Sequence, residues 1–208
     1  MRQIVAAGTG RQATSTQLQI DLPCAIREAR MKLLSVLLFA LVIGAATAAE
    51  DHSMHHDGKS GCDAYSWNMN REFSLLMATP FAMEGLATQD PEAKYAPLDR
   101  RIELKLKPAG EVKLLAPPGR EPGANSFAGL LQVRLPRTST YRVSSDQRLW
   151  IDVIGPDGVV KSSKFEMAAD CAKLRKSVAF RLEPEVDYWI QLSGSPSETP
   201  ILLITLDR

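Results

Sequence analysis

The sequence predicts a mainly β protein: an antiparallel, jelly-roll-like β-sandwich with one short N-terminal helix, tied by a disulfide bond. Short segments in which apolar and polar residues alternate recur from residue 101 to the C-terminus. Proline, glycine and aspartate separate these segments, and short strands at such spacing are typical of sandwiches and barrels. Two widely separated cysteines, Cys62 and Cys171, are available to tie the domain together.

The strongest strand signal is a hairpin from Leu149 to Phe165. In its first strand, residues 149, 151 and 153 face one side of a sheet and residues 150, 152 and 154 the other. The turn Gly155–Gly158 reads Gly-Pro-Asp-Gly, in which proline pre-sets φ and the last glycine can adopt a positive φ. We expect a stack of such hairpins to form the core.

The N-terminal 48 residues are predicted to lie outside the domain. Residues 1–30 are polar without a sustained period, which indicates a disordered, upstream over-extension of the reading frame. Residues 31–48 have the order of a secretory signal peptide: Lys32, then the apolar run Leu33–Ile43, then a small-residue cleavage signal that ends at Ala48. The true start could be Met1 or Met31, and an uncleaved anchor that begins at Met1 is the alternative.

The apolar run of this segment is shorter than the roughly 20 residues that a membrane span needs. We therefore expect no stable membrane span after cleavage and a periplasmic or secreted protein. In that compartment Cys62 and Cys171 are expected to form a disulfide, because no C-x-x-C motif suggests redox chemistry. After residue 48, acidic residues slightly outnumber basic ones, so nothing points to a nucleic-acid partner. The tightest basic cluster, at residues 173–176, is interpreted as a solvated loop.

Residues 49–61 form a polar tail rich in histidine and methionine, which is the sharpest chemical feature of the chain. It predicts either a flexible spacer or a metal site, since histidine-rich tracts are compositional hints only. The candidate ligands, with copper as the possible cofactor, are His52, Met54, His55 and His56.

The copper site depends on where the signal peptide is cleaved. Cleavage after Ala49 would make His52 the third residue, and its imidazole, the free amine and two backbone amides could then form a square-planar nitrogen set. That geometry suits Cu(II) or Ni(II), and the thioether of Met54 suits Cu(I). Cleavage after Ala48 would make His52 the fourth residue, and this site would be lost.

Residues 62–100 are predicted to form a helix and a connecting segment. Apolar residues recur at helical spacing from about Ala64 to Thr79, Asp63 can cap the helix, and Pro80 follows it. Residues 81–100 show no strong period. Residues 101–208 are predicted to form the sandwich, in which Arg101–Lys107 alternates strictly. The later strands are Phe127–Leu135, Thr140–Ser144, Leu149–Ile154, Val159–Phe165, Ser177–Leu182, Tyr188–Leu192 and Ile201–Leu206.

Several short motifs give the chain a family resemblance. They are Cys62-Asp63 with Tyr65 and Trp67, Arg71-Glu72, WIDV at Trp150–Val153, DCxxLRKSVxF at Asp170–Phe180, and IQLSG at Ile190–Gly194. With these motifs the chain resembles a family of small secreted bacterial proteins without an established function, some of which are labelled homogentisate dioxygenase. The C-terminal half, residues 140–206, resembles the bacterial pre-peptidase C-terminal β-sandwich. Both resemblances imply a secreted β domain.

The residues do not support the dioxygenase label, because every histidine of the chain lies between residues 52 and 56. A core iron site with two histidines, or a Ser-His-Asp or Cys-His site, is therefore excluded from the sandwich. A glycosidase needs only two carboxylates, but no spacing singles out a pair. The carboxylates available on the strands and turns are Asp146, Asp152, Asp157 and Glu166.

The function predicted from the sequence is therefore a non-catalytic binding or structural module for an unknown protein or saccharide. Trp150 and Trp189 lie on predicted strands and are the candidate binding aromatics. If both point outward on one face, they could stack against sugar rings or a protein. If they point inward, they belong to the core. Copper handling through the tail is the alternative function.

Overall fold

Two facing β-sheets make up the part of the chain that the computed structural model describes, residues 59–207. The strands in chain order are β1 (Phe81–Glu84), β2 (Ile102–Lys105), β3 (Lys107–Pro108), β4 (Phe127–Arg134), β5 (Ser139–Ser145), β6 (Trp150–Gly155), β7 (Gly158–Val160), β8 (Ser162–Met167), β9 (Lys176–Leu182), β10 (Asp187–Ser195) and β11 (Ile201–Leu206). One sheet has the order β1-β2-β11-β5-β9-β8, and the other has the order β3-β4-β10-β6-β7. Their strand pairs are antiparallel except β1 and β2, which are parallel.

The predicted fold class is confirmed. Residues 59–207 form a mainly β sandwich with a single short α-helix, α1 (Asn70–Leu75), and a disulfide between Cys62 and Cys171. Two short 3-10 turns, Gly61–Ala64 and Ala109–Glu111, complete the regular structure of these residues. No helix within them is long and apolar enough to cross a membrane.

The predicted helix from about Ala64 to Thr79 is wrong in its extent, because only α1 forms. The backbone N–H groups of Ser66 and Trp67 donate instead to the carboxylate of Glu166 on β8, at 2.9 and 3.2 Å. These two N–H groups are therefore bonded to a side chain from another part of the fold. In a longer helix they would have to point along the helix axis. The helical spacing of apolar residues reflects packing of this segment on a sheet.

Other differences concern short strands. Residues 81–84, predicted to be part of a connecting segment, form β1 beside β2. The predicted strand Arg101–Lys107 divides into β2 and β3, and the predicted strand Val159–Phe165 divides into β7 and β8. In both cases the two parts belong to different sheets. Alternation predicts which side chains share a face, but it does not show that the chain changes sheets.

The apolar residues form three layers. The central layer fills the space between the sheets and includes Leu131, Phe180 and Ile190. A second cluster covers the outer face of the six-stranded sheet, where residues 62–76 pack on Leu203. A third cluster covers the outer face of the five-stranded sheet with residues from 86–93 and 109–116. We call residues 62–76 the N-terminal cover. We call the parts of residues 86–116 that do not belong to strands the second cover.

The Cys62–Cys171 disulfide attaches the N-terminal cover to the loop before β9. Its Cα atoms are 4.3 Å apart and the cysteines are separated by 109 positions. Cys171 is fully buried in the cluster beneath the cover. The bond therefore closes most of the domain into one loop, which restricts the unfolded chain.

We expect the double replacement Cys62→Ala with Cys171→Ala to lower the free energy of unfolding by about 4 to 5 kcal/mol, the chain-entropy value for a loop of this length. Urea-induced equilibrium unfolding measures the change. As a control, a reductant should destabilise the wild-type protein and leave the variant unaffected. A loss below about 1 kcal/mol would show that the cover docks without the bond.

A buried ion pair holds α1 against the six-stranded sheet. Glu72 of α1 is fully buried, and its Oε1 atom lies 3.6 Å from Nη1 of Arg142 on β5. The same oxygen accepts a 2.7 Å hydrogen bond from Oγ1 of Thr205. Arg142 also lies over the ring of Trp67, 5.5 Å from its centroid. Charges this deeply buried are costly to leave unpaired.

Replacing Arg142 by Met should therefore lower the free energy of unfolding by about 3 to 5 kcal/mol, because it leaves the Glu72 carboxylate without its cation. The double variant Glu72→Leu with Arg142→Met removes both charges and should recover most of that loss. Arg71→Met is the matched control, since Arg71 pairs with the half-exposed Asp99 and should change stability by less than about 1 kcal/mol. Equal losses for Arg71→Met and Arg142→Met in denaturant unfolding would contradict this account.

Candidate functional site

A cavity of about 680 Å³ opens at one end of the sandwich, where β6 and β9 begin and β8 and β10 end. The Pro/Gly-rich loop before β4 supplies one wall, with Arg120, Asn125 and Ser126 among its residues. Trp150 of β6, Lys176 of β9 and Ser193 of β10 line the rest together with their neighbours. The cavity thus brings together both sheets and a long loop.

Trp150 is the aromatic group of this cavity. Its indole Nε1 donates a 2.9 Å hydrogen bond to Oδ1 of Asp152, two residues along the same face of β6. Nζ of Lys176 lies 4.6 Å from the ring centroid, and Gly119 packs so closely on the six-membered ring that a Cβ there would overlap Cζ2. The ring is fixed by these contacts, yet 37% of the residue is exposed.

The buried side-chain amide of Gln191 connects Asp152, which holds the Trp150 indole, to the second cover. Oδ2 of Asp152 accepts a 3.2 Å hydrogen bond from Nε2 of Gln191, which is fully buried on β10. Oε1 of Gln191 accepts hydrogen bonds from the backbone N–H groups of Leu115 and Ala116, at 2.7 and 3.2 Å. Burial raises the pKa of Asp152, and the hydrogen bonds from Trp150 and Gln191 and the charge of Lys176 oppose that rise. The indole orientation is therefore coupled to the position of the cover.

Lys176 is a buried cation at the base of the cavity. It is the first residue of β9 and shares the inward-facing register of Val178 and Phe180, so that only 9% of it is exposed. Its Nζ donates a 3.1 Å hydrogen bond to the carbonyl oxygen of Leu149. Burial lowers the pKa of Lys176, and the charge of Asp152 partly opposes this. Among residues 59–207, no carboxylate lies within ion-pair distance of this ammonium group.

Ser193 adds an unpaired hydroxyl to the same cavity. It lies directly opposite Trp150 in the β6–β10 register and is fully buried. Its Oγ atom has no hydrogen-bond partner within the described part of the chain. Buried hydroxyls without a partner are uncommon in folded proteins. The hydrogen-bonding capacity of this atom is therefore unused within the described residues, in a residue that lines the cavity.

The two candidate tryptophans have different environments. Both face outward on the same surface of the five-stranded sheet, because Trp150 pairs with Ser193 and Trp189 pairs with Ile154. Trp189, however, is only 8% exposed and packs under the second cover beside Val112. The structure thus places Trp189 in an apolar cluster and leaves Trp150 as the one of these two tryptophans that is accessible to solvent.

Lys176 and Ser193 were missed by sequence reasoning. The interpretation of residues 173–176 as a solvated loop is wrong for Lys176, which is buried at the start of a strand. The signal in the sequence was its period: Lys176 occupies the apolar face of the alternating series that continues with Val178 and Phe180. A lysine on the core face of a strand indicates either an ion pair or a ligand site.

The remaining candidate residues are the tail histidines and methionine and the four carboxylates. His52, Met54, His55 and His56 lie outside the described residues, so the copper hypothesis stays a prediction, as do the signal peptide and the N-terminal segments. Within residues 59–207, no group of three or more metal-ligating side chains is suited to a metal ion. Three of the four carboxylates considered for a glycosidase have partners within the fold. Glu166 accepts hydrogen bonds from the N-terminal cover, and Asp152 accepts one from the Trp150 indole. Asp146 accepts a hydrogen bond from the backbone N–H group of Ile201.

In comparisons with known proteins, the chain matches no protein-family model and no curated protein. The resemblance to small secreted bacterial proteins therefore stays a prediction. Three of its motifs supply the cavity: WIDV contains Trp150, the motif DCxxLRKSVxF contains Lys176, and IQLSG contains Ser193.

Replacing each tryptophan by alanine separates its structural role from a binding role. We expect Trp189→Ala to lower the free energy of unfolding by about 3 to 5 kcal/mol, because it empties an apolar cluster. Trp150→Ala should cost on the order of 1 kcal/mol, since a third of the side chain is already in water and its main partner is a cation. Thermal and urea unfolding measure both changes. Equal losses would place Trp150 in the core.

Proposed function

We propose that this protein is a secreted, non-catalytic binding module, periplasmic or extracellular, whose cavity beside Trp150 binds a saccharide. The proposal depends mainly on one observation: a tryptophan fixed by Asp152, Lys176 and Gly119 remains partly exposed at a cavity of about 680 Å³. That volume lies in the usual range for small-ligand sites. A preorganised aromatic side chain loses little conformational entropy when it binds.

The polar lining of the cavity favours a hydroxyl-rich ligand. Asn125, Ser126 and Ser193 line the cavity together with Trp150 and carry amide and hydroxyl groups. A sugar ring presents C–H groups on its faces and hydroxyls on its edges, which matches an apolar aromatic surface surrounded by hydrogen-bonding groups. A purely apolar ligand would offer no partner to the Oγ atom of Ser193, which has none among the described residues.

A binding role also agrees with the chemistry that the domain offers. The chain has no histidine after residue 56, so the usual general base is missing from the sandwich sequence. The nearest carboxylate to the indole, Asp152, accepts hydrogen bonds from Trp150 and Gln191. It therefore acts as a support for the ring and is not presented to a ligand as an acid or base.

The proposal is tested by calorimetric titration of the protein, secreted with its own N-terminus, with cellotetraose, chitotetraose and trigalacturonate. We expect saturable binding of at least one of these at one site per chain. Gly119→Ala should weaken that binding by about tenfold or more, because the added methyl group overlaps the indole and displaces the ring or the loop.

The matched control is Gly110→Ala, since a Cβ at Gly110 meets no atom within 4 Å and Gly110 does not line the cavity. It should bind as the wild-type protein does. Absence of saturable binding to all three oligosaccharides, or equal weakening by both glycine variants, would argue against a saccharide site at Trp150.

A further inference from the structure

We propose that the saccharide bound by this cavity is acidic, and that Nζ of Lys176 and Oγ of Ser193 bind the carboxylate of a uronic-acid residue. This inference depends on the proposed saccharide-binding function and specifies the substrate class of the same site. It follows from three features of the cavity: an incompletely paired cation, an unpaired hydroxyl, and an excess of basic residues.

The first feature is the state of the Lys176 ammonium group. It has three N–H donors, and in the structure one of them is donated to the carbonyl oxygen of Leu149. The indole of Trp150 partly compensates the charge, but within residues 59–207 no carboxylate pairs with it. Burial lowers the pKa of Lys176, and the charge of Asp152 opposes this only in part. A carboxylate in the cavity would pair with this cation and accept hydrogen bonds from its two remaining N–H donors.

The second feature is the hydroxyl of Ser193. The β6–β10 register places it beside Trp150 on the same sheet surface, and its Oγ atom is buried without a partner among the described residues. A hydroxyl donates to a carboxylate through a short, charge-assisted hydrogen bond. Lys176 from one sheet and Ser193 from the other therefore form two donors at one cavity.

The third feature is the charge around the opening. Arg120 and Arg148 line the cavity and are exposed, whereas Glu121 is the one acidic residue among the lining residues. Asp152 lies outside the lining and its carboxylate is occupied by Trp150 and Gln191. A cavity lined mainly by one sign of charge attracts ligands of the opposite sign. A carboxylate, with one negative charge, matches the single buried lysine.

The experiment uses trisaccharides of galacturonate, glucuronate and mannuronate, each paired with its uncharged methyl ester. We expect at least one acid to bind the wild-type protein about tenfold or more tightly than its ester. Lys176→Met keeps an unbranched apolar side chain up to Cε and removes the ammonium group, so it should abolish this preference. Lys164→Met, at an exposed lysine on β8 that does not line the cavity, is the matched control and should keep it.

Ser193→Ala provides a second variant that should fold normally, because Oγ of Ser193 makes no hydrogen bond that the fold would lose. It should weaken binding of the acid more than binding of the ester, because only the acid accepts a charge-assisted hydrogen bond from this hydroxyl. Equal affinity for acid and ester, or an unchanged preference in Lys176→Met, would overturn the acidic class while leaving a saccharide site at Trp150. Binding of neutral oligosaccharides alone would do the same, and absence of binding to every saccharide would overturn both proposals.

Discussion

Burial of apolar residues on the outer faces of the two sheets, as well as on their inner faces, is the constraint on which the rest of this structure depends. A two-sheet sandwich ordinarily packs its inner faces together and leaves its outer faces in water. Here the strands have apolar residues on both faces: Leu131 of β4 faces the central layer, and Leu130 beside it faces the second cover. Each outer face therefore needs a covering segment, and residues 62–76 and 86–116 supply them.

Each cover is fixed by a buried polar side chain of the sheet as well as by apolar contact. Arg142 projects from the six-stranded sheet to Glu72 and to the carbonyl oxygen of Asn68 in the N-terminal cover. Gln191 projects from the five-stranded sheet to the backbone of Leu115 and Ala116 in the second cover. Such bonds specify one position of an irregular segment, because any shift would leave a buried polar group without a partner. The disulfide adds a covalent restraint only to the N-terminal cover.

The sequence predicts the sandwich, its disulfide and most strand positions, because alternation and turn residues are local signals. It does not predict which sheet a short strand joins: Val160 and Ser162 lie two residues apart and belong to different sheets. It also places a helix over residues 64–79, because apolar spacing in a segment packed on a sheet resembles the helical period. For the site, Trp150 could be nominated from its residue type, whereas Lys176 and Gly119 gain meaning only from contacts across the fold.

The candidate site lies where the second cover ends. Trp189 and Trp150 face the same side of the five-stranded sheet, and the cover buries the first but does not reach the second. Gln191 lies between them and joins the last residues of the cover to Asp152, which orients the indole. At this same end the sheets leave room for Lys176 to reach Leu149 across the interior. The indole of Trp150, the buried cation of Lys176 and the unpaired hydroxyl of Ser193 thus line one cavity at the end of the sheet that the second cover does not reach.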